Sequence, residues 1–301
     1  MSAISDRVRI EWAASDKARD EGLTTPEDVV RFDNIKYSSD PEWNLLDIYL
    51  PKMKAPSSGY PVVINFHGGG YIYGSKDIYQ FYGLSISQRG FAFINPSYRL
   101  APEHMFPAAL VDMNEVVKFI IANAPKYNLD LNNIFLVGDS AGGHYAALYA
   151  CLCTNKAYAD SLGIKIPVIS SSAFVPNAIA LNCGIYDPIY GIENEPDRDE
   201  YTTDVFGPDW KKTYAPKACT PQLITKDYPP SFIMTGSNDF LQPQLPLMTN
   251  RFDALGIPYV SKLYGAPGEE EYYHVFHVNM RHPYSSIVND DECTFFKTHM
   301  R

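Results

Sequence analysis

From about residue 45 onward, short uninterrupted apolar runs alternate with longer stretches in which apolar residues return every three or four positions. The first pattern suits strands buried on both faces and the second suits helices with one buried face. Their alternation predicts an α/β chain with a mostly parallel sheet flanked by helices. Eight strands are expected, at Asn34–Ser38, Leu45–Leu50, Pro61–Phe66, Phe91–Asn95, Asn133–Val137, Ala178–Cys183, Ser231–Thr235 and Tyr259–Leu263. Val62, Val63 and Ile64 run without a polar break, as a central strand should. Helices are expected over Phe106–Ala122, where Ala109, Met113, Val116 and Ile120 share a face, and over Ala141–Cys153, Leu245–Leu255 and Ser286–His299.

Two segments fall outside the alternation. Residues 1–30 are polar, with room for a short amphipathic helix. Residues 188–228 are rich in charge, Pro, Tyr and Thr and lie between two expected core strands. An excursion of that kind near the mouth of an α/β sheet reads as a cap. Residues 1–301 are accordingly expected to form a single domain with small cap elements from about 1–30 and 188–228.

Composition narrows the partners. The formal net charge of −10 opposes binding to nucleic acid or an anionic membrane. Five cysteines, Cys151, Cys153, Cys183, Cys219 and Cys293, form no zinc-ligand spacing with the histidines. Their odd number, with only Cys151 and Cys153 close together, points to free thiols in a reducing compartment. The amino-terminal residues carry no signal-like apolar stretch, and nowhere do 18 apolar residues run together. A cytoplasmic protein acting on a small molecule, without metal or cofactor, is expected; self-association into a homo-oligomer stays open.

The chemistry lies in two glycine-rich segments. Gly138-Asp-Ser140-Ala-Gly142-Gly143 follows the run Asn133–Val137 and opens the next helix. A serine there is turned sharply out of the sheet, with glycines where side chains would obstruct, and the helix N-terminus favours negative charge nearby. The alternative is a serine that only caps the helix. His67-Gly68-Gly69-Gly70 leaves the strand Pro61–Phe66 at the same sheet edge. Its amides, with that of Ala141, are placed to receive an oxyanion; His67 itself braces the loop. A serine needs a base. The cluster Tyr272-Tyr-His274-Val-Phe-His277 lies between the last strand and last helix, so His274 or His277 fills that role. Asp239, just past Ser231–Thr235, is the expected acid, with Asp187 as its competitor. Tyr71 and Tyr73, with Phe81 and Tyr82, follow the glycine loop and are candidate pocket residues; Tyr201 and Phe206 would close the pocket from the cap.

At these residues the chain resembles the hormone-sensitive-lipase-like family of α/β-hydrolase carboxylesterases. His67–Gly70, Gly138–Gly143 and the stretch Tyr98-Arg-Leu-Ala-Pro-Glu-His104, followed by Phe106-Pro-Ala-Ala109, carry the likeness over roughly residues 31–300. The resemblance implies an α/β-hydrolase fold with an eight-stranded sheet and a cap. It also implies cofactor-free hydrolysis of short- to medium-chain carboxylic esters, with Ser140, Asp239 and His274 as triad and Gly69, Gly70 and Ala141 as donors. Amide or acetyl-carbohydrate hydrolysis on the same triad, or a non-catalytic receptor on the same fold, are the alternatives. Two features depart from the family. Its histidine is usually followed by Gly-Phe and comes soon after a strand-end glycine, whereas here Gly265–Glu271 intervenes and Val275-Phe276 follows. The amino-terminal segment is also short for a full helical cap, which predicts a more open site.

Overall fold

The apolar runs assemble into one eight-stranded sheet. In the computed structural model, which describes residues 2–190 and 196–301, the first strands are β1 (Val29–Lys36), β2 (Leu45–Pro51), β3 (Tyr60–Phe66), β4 (Ala92–Pro96) and β5 (Leu129–Asp139). After a small hairpin, β6 (Val168–Ile169) and β7 (Ser172–Ala173), come β8 (Ala178–Asn182), β9 (Ser231–Gly236) and β10 (Tyr259–Tyr264). The order across the sheet is β1-β2-β4-β3-β5-β8-β9-β10. β2 is antiparallel to both neighbours, and every other pairing is parallel.

The helices are α1 (Ala3–Asp20), α2 (Gln80–Gln88), α3 (Ala108–Tyr127), α4 (Ala141–Thr154), α5 (Lys156–Leu162), α6 (Pro196–Phe206), α7 (Trp210–Thr213), α8 (Ala215–Ala218), α9 (Thr220–Leu223), α10 (Leu245–Leu255) and α11 (Ser285–Thr298). They leave two apolar layers, one on each face of the sheet. Val62, Ile64 and Leu136 belong to one layer, with Met113 of α3 and Leu148 of α4. Val63, Phe135 and Val137 belong to the other, with Phe296 of α11. Successive residues of a strand point to opposite faces, so a strand buried on both sides needs an unbroken apolar run. Each such side chain contributes roughly 1.5–3 kcal/mol on burial.

Element boundaries moved where local geometry outweighed the apolar pattern. β1 begins at Val29, and Asn34, expected as its first residue, sits in a bulge between Phe32 and Ile35. Its φ is 58°, and its N–H donates to Asp47 Oδ1 at 2.8 Å. β5 starts four residues early, and α3 runs on to Tyr127 through Pro125 because Ala124 and Tyr127 continue its buried stripe. α2 carries no clear apolar period: it buries Gly83, where a Cβ would stand 2.4 Å from the Phe93 ring.

The parallel pairing fixes where the site must lie. β3, β5 and β9 end on the same edge, so the segments after them, residues 67–70, 140 and 239, emerge together. A bridge between Asn238 and Tyr273 ties the loop after β9 to the loop after β10. Among the described residues no helix is long and apolar enough to cross a membrane.

Candidate active site

Ser140 stands between β5 and α4 at φ 52°, ψ −123°, a left-handed backbone that a non-glycine residue adopts at a cost. Its amide donates to Asn182 O at 3.0 Å, anchoring the turn to β8. The turn tolerates no bulk: a Cβ on Gly142 would stand 2.0 Å from Phe66 O. The Ser140 side chain makes no capping bond to α4, so the helix-cap alternative does not describe it. Its Oγ lies 2.9 Å from His274 Nε2, and His274 Nδ1 lies 2.8 Å from Asp239 Oδ1.

Asp239 is almost fully buried. Burial pushes its carboxyl up, but the His274 hydrogen bond and charge, the Leu241 N–H and the Thr235 hydroxyl together hold it below the usual carboxylate value. Leu241 N donates to Oδ1 at 2.9 Å and Thr235 Oγ1 to Oδ2 at 2.7 Å. The Cys183 thiol completes this surround: its sulfur, an Asp239 oxygen and a His274 ring nitrogen lie within 4.8 Å of one another. Three such groups resemble part of a metal site. Burial pushes the thiol well above its ordinary pKa. Asp239 and His274 already satisfy each other.

The two histidine candidates separate cleanly. His274 is partly exposed and faces Ser140. His277 is wholly buried, its ring edge-to-face with Tyr82 at 5.6 Å, and burial pulls its pKa down to about 3. Asp187, the competing acid, instead accepts the Ile189 N–H at 3.0 Å. His67 stacks on Tyr98 at 4.0 Å, and its Nδ1–H reaches Gly68 O, as a loop brace would. His144 is buried, with Nδ1 accepting from the Tyr71 hydroxyl at 2.8 Å and Nε2 donating to Ala218 O at 2.6 Å.

The glycine loop is held from below. Asp139 Oδ2 accepts the Tyr79 hydroxyl, which accepts the Gly68 N–H. Gly69 O takes the N–H groups of Ile72 and Tyr73. Within the described residues no hydrogen bond uses the N–H of Gly69, Gly70 or Ala141, so these donors remain available at the site.

Over Ser140 lies a cavity of about 850 Å³. Tyr71, Tyr73, Tyr201 and Phe206 line it, in line with the sequence. Phe81 and Tyr82 do not: Tyr82 is buried in the other layer and donates to Glu292 at 2.9 Å, and Phe81 packs beside it. α1 forms one wall, within the stretch of residues 1–30 where a cap element is expected. Ile4, Val8 and Trp12, spaced by four, all face the cavity, and that spacing was the available signal. α1 is pinned there by Arg9 to Ile72 O and Ala101 O, by Tyr73 Oη to Asp16, and by Ser5 Oγ to Asp204 on α6. α1 thus covers one side of the cavity. Part of the segment expected as a second cap element, residues 191–195, lies outside the described residues.

Known proteins share this fold. A family model described as BD-FAE matches residues 46–245. The chain is 29% identical over 210 residues to the putative alpha/beta hydrolase R526 of Acanthamoeba polyphaga mimivirus, covering 66% of this chain and 57% of that protein. It is 30% identical over 159 residues to esterase LipC of Mycobacterium tuberculosis, covering 52% of this chain and 39% of that protein. The matches thus span 57% or less of these curated relatives' lengths. A crystal structure of inhibited esterase B from Lactobacillus rhamnosis superposes with a TM-score of 0.88 at 28% identity, covering 99% of this chain and 97% of that one.

Proposed function

The chain belongs to the BD-FAE family, and from that premise we propose that it is a serine carboxylesterase acting on short- to medium-chain esters through an acyl-enzyme. The hydrogen-bonded series Ser140–His274–Asp239 carries the reading. His274 Nε2 takes the Ser140 proton as Oγ attacks the ester carbonyl. The amides of Gly69, Gly70 and Ala141 receive the oxyanion, and such donors supply a few kcal/mol each in a dry site. The imidazolium protonates the leaving alcohol, then the imidazole activates water to release the acid. Asp239 holds the Nδ1–H tautomer and stabilises the cation.

The single domain carries α1 and α6 as its cap, with Tyr71, Tyr73 and Phe206 as substrate contacts. Support comes from the cavity they line above Ser140. The partner is then a small ester, bound without metal or cofactor. Five unpaired cysteines support a reducing, cytoplasmic setting.

The test is hydrolysis of 4-nitrophenyl acetate and labelling by a fluorophosphonate. The wild type is expected to turn over the ester and take the label at Ser140, and Ser140→Ala to do neither. His274→Ala should lose turnover while His277→Ala keeps its triad. Turnover surviving in Ser140→Ala would overturn the proposal.

A further inference from the structure

The cavity over Ser140 has two unlike sides. Tyr71, Val205 and Phe206 are buried, forming a closed apolar wall. Phe240 and Tyr273 also line it, yet they are 64% and 38% exposed. Single exposed apolar side chains are ordinary on a protein surface, but these two share the mouth of one cavity and offer a bound molecule an apolar surface there. Both flank the base: Phe240 follows Asp239 and lies against the His274 ring with centroids 4.5 Å apart, and Tyr273 precedes His274. Tyr273 is held in place by the Asn279 side-chain amide, which donates to its oxygen at 3.1 Å.

Proton transfer decides which half of the ester meets these rings. The leaving oxygen must come within hydrogen-bond reach of His274 Nε2 to be protonated. Its substituent therefore departs over the imidazole side, where Phe240 lies, while the acyl group stays bonded to Ser140 Oγ. We infer that Phe240, with Tyr273 beside the base, is the contact surface for the alcohol half of the substrate and selects esters of alcohols bearing a flat apolar group. This rests on the ester-hydrolysis reading of the same site. The gain comes from ring-on-ring contact made as the alcohol enters and kept until it leaves.

The experiment compares benzyl acetate with methyl acetate, and methyl butyrate with methyl acetate, in the wild type, Phe240→Ala and Phe240→Leu. The wild type is expected to favour benzyl acetate in kcat/KM. Phe240→Ala should lower that benzyl-to-methyl ratio about tenfold, the scale of one aromatic contact, and Phe240→Leu should fall between. The butyrate-to-acetate ratio should hold within about twofold, as for an independent site. An equal loss on benzyl and methyl acetates would show that Phe240 only props His274 and would overturn the inference. So would a shift confined to acyl length, or a wild type with no benzyl preference. A wild type that hydrolyses none of the esters removes the hydrolysis reading itself, an outcome distinct from these.

Discussion

Tyr79 joins Asp139 to the backbone of Gly68: its hydroxyl donates to Asp139 Oδ2 at 2.6 Å and receives the Gly68 N–H at 2.9 Å. The residue before Ser140 thus supports the glycine loop through one buried phenol. Tyr79→Phe would leave a buried N–H and a buried carboxyl short of a partner. The expected cost is roughly 1–3 kcal/mol of stability, read as a lower urea midpoint. Loosened donors should lower kcat about tenfold with little change in KM, since the oxyanion exists only after attack. A variant that loses stability but keeps kcat would show that Tyr79 supports the fold and not the loop's alignment.

Gly69 offers a sharper probe of the same loop. Its φ is +116°, and a Cβ there would stand 2.1 Å from Tyr73 O. That carbonyl belongs to the turn closed by the Tyr73 N–H on Gly69 O, so neither side can yield without breaking it. Gly69→Ala is expected to cut kcat by on the order of 100-fold or more, the loss typical of a removed oxyanion donor. Fluorophosphonate labelling of Ser140 should slow in parallel. Unchanged kinetics would place the working donors elsewhere.

The inner strands of the sheet were readable in the chain because strands buried on both faces demand unbroken apolar runs, whereas the edge strands β1 and β10 are largely exposed and polar-interrupted, and β1 begins five residues before the run expected for it. Ser140 and Asp239 were readable for a related reason: each directly follows such a run, at the edge where parallel strands end together. The resemblance points to His274, and His277, three residues on in the same loop, is its alternative. Between them lies Val275, whose φ of 52° is one that β-branched residues rarely adopt. That kink leaves His274 facing Ser140 and starts the short helical turn Phe276–Val278 that carries His277 inward. Glycine follows the histidine in the family resembled, and this is the conformation glycine adopts freely. Phe81 and Tyr82 misled because they follow the glycine loop in sequence but are turned into the opposite layer by α2. α1 was legible only as a polar segment with a short helix, while its Ile4, Val8 and Trp12 stripe lines the cavity and Trp12 sits edge-on to Tyr73.

Glu292 supplies a prediction in pH. It is fully buried on α11, accepting from Tyr82 at 2.9 Å and from Asn182 at 3.0 Å, and burial pushes its pKa up to about 7. Asp139, buried beneath Ser140, is pushed to about 7 for the same reason. Unfolded, such acids titrate near 4. Between about pH 4 and 7 the native state therefore keeps protons that the unfolded chain releases, and stability declines as pH rises through that window. Asp239 works in the opposite sense, its lowered pKa adding stability above about pH 4 that is lost on acidification, so its effect lies below the window. Glu292→Gln keeps the shape and removes one titration. Its amide can still accept from Tyr82, and it can donate to Asn182 Oδ1, which is otherwise without a partner among the described residues. Urea unfolding from pH 4.5 to 8 should show a flatter decline in the variant. By pH 8 the difference should approach about 3 kcal/mol, one acid's share at 1.36 kcal/mol per unit. Parallel curves for the two proteins would mean that Glu292 releases its proton in the folded state near pH 4, as in the unfolded chain, and that the interior stabilises its carboxylate.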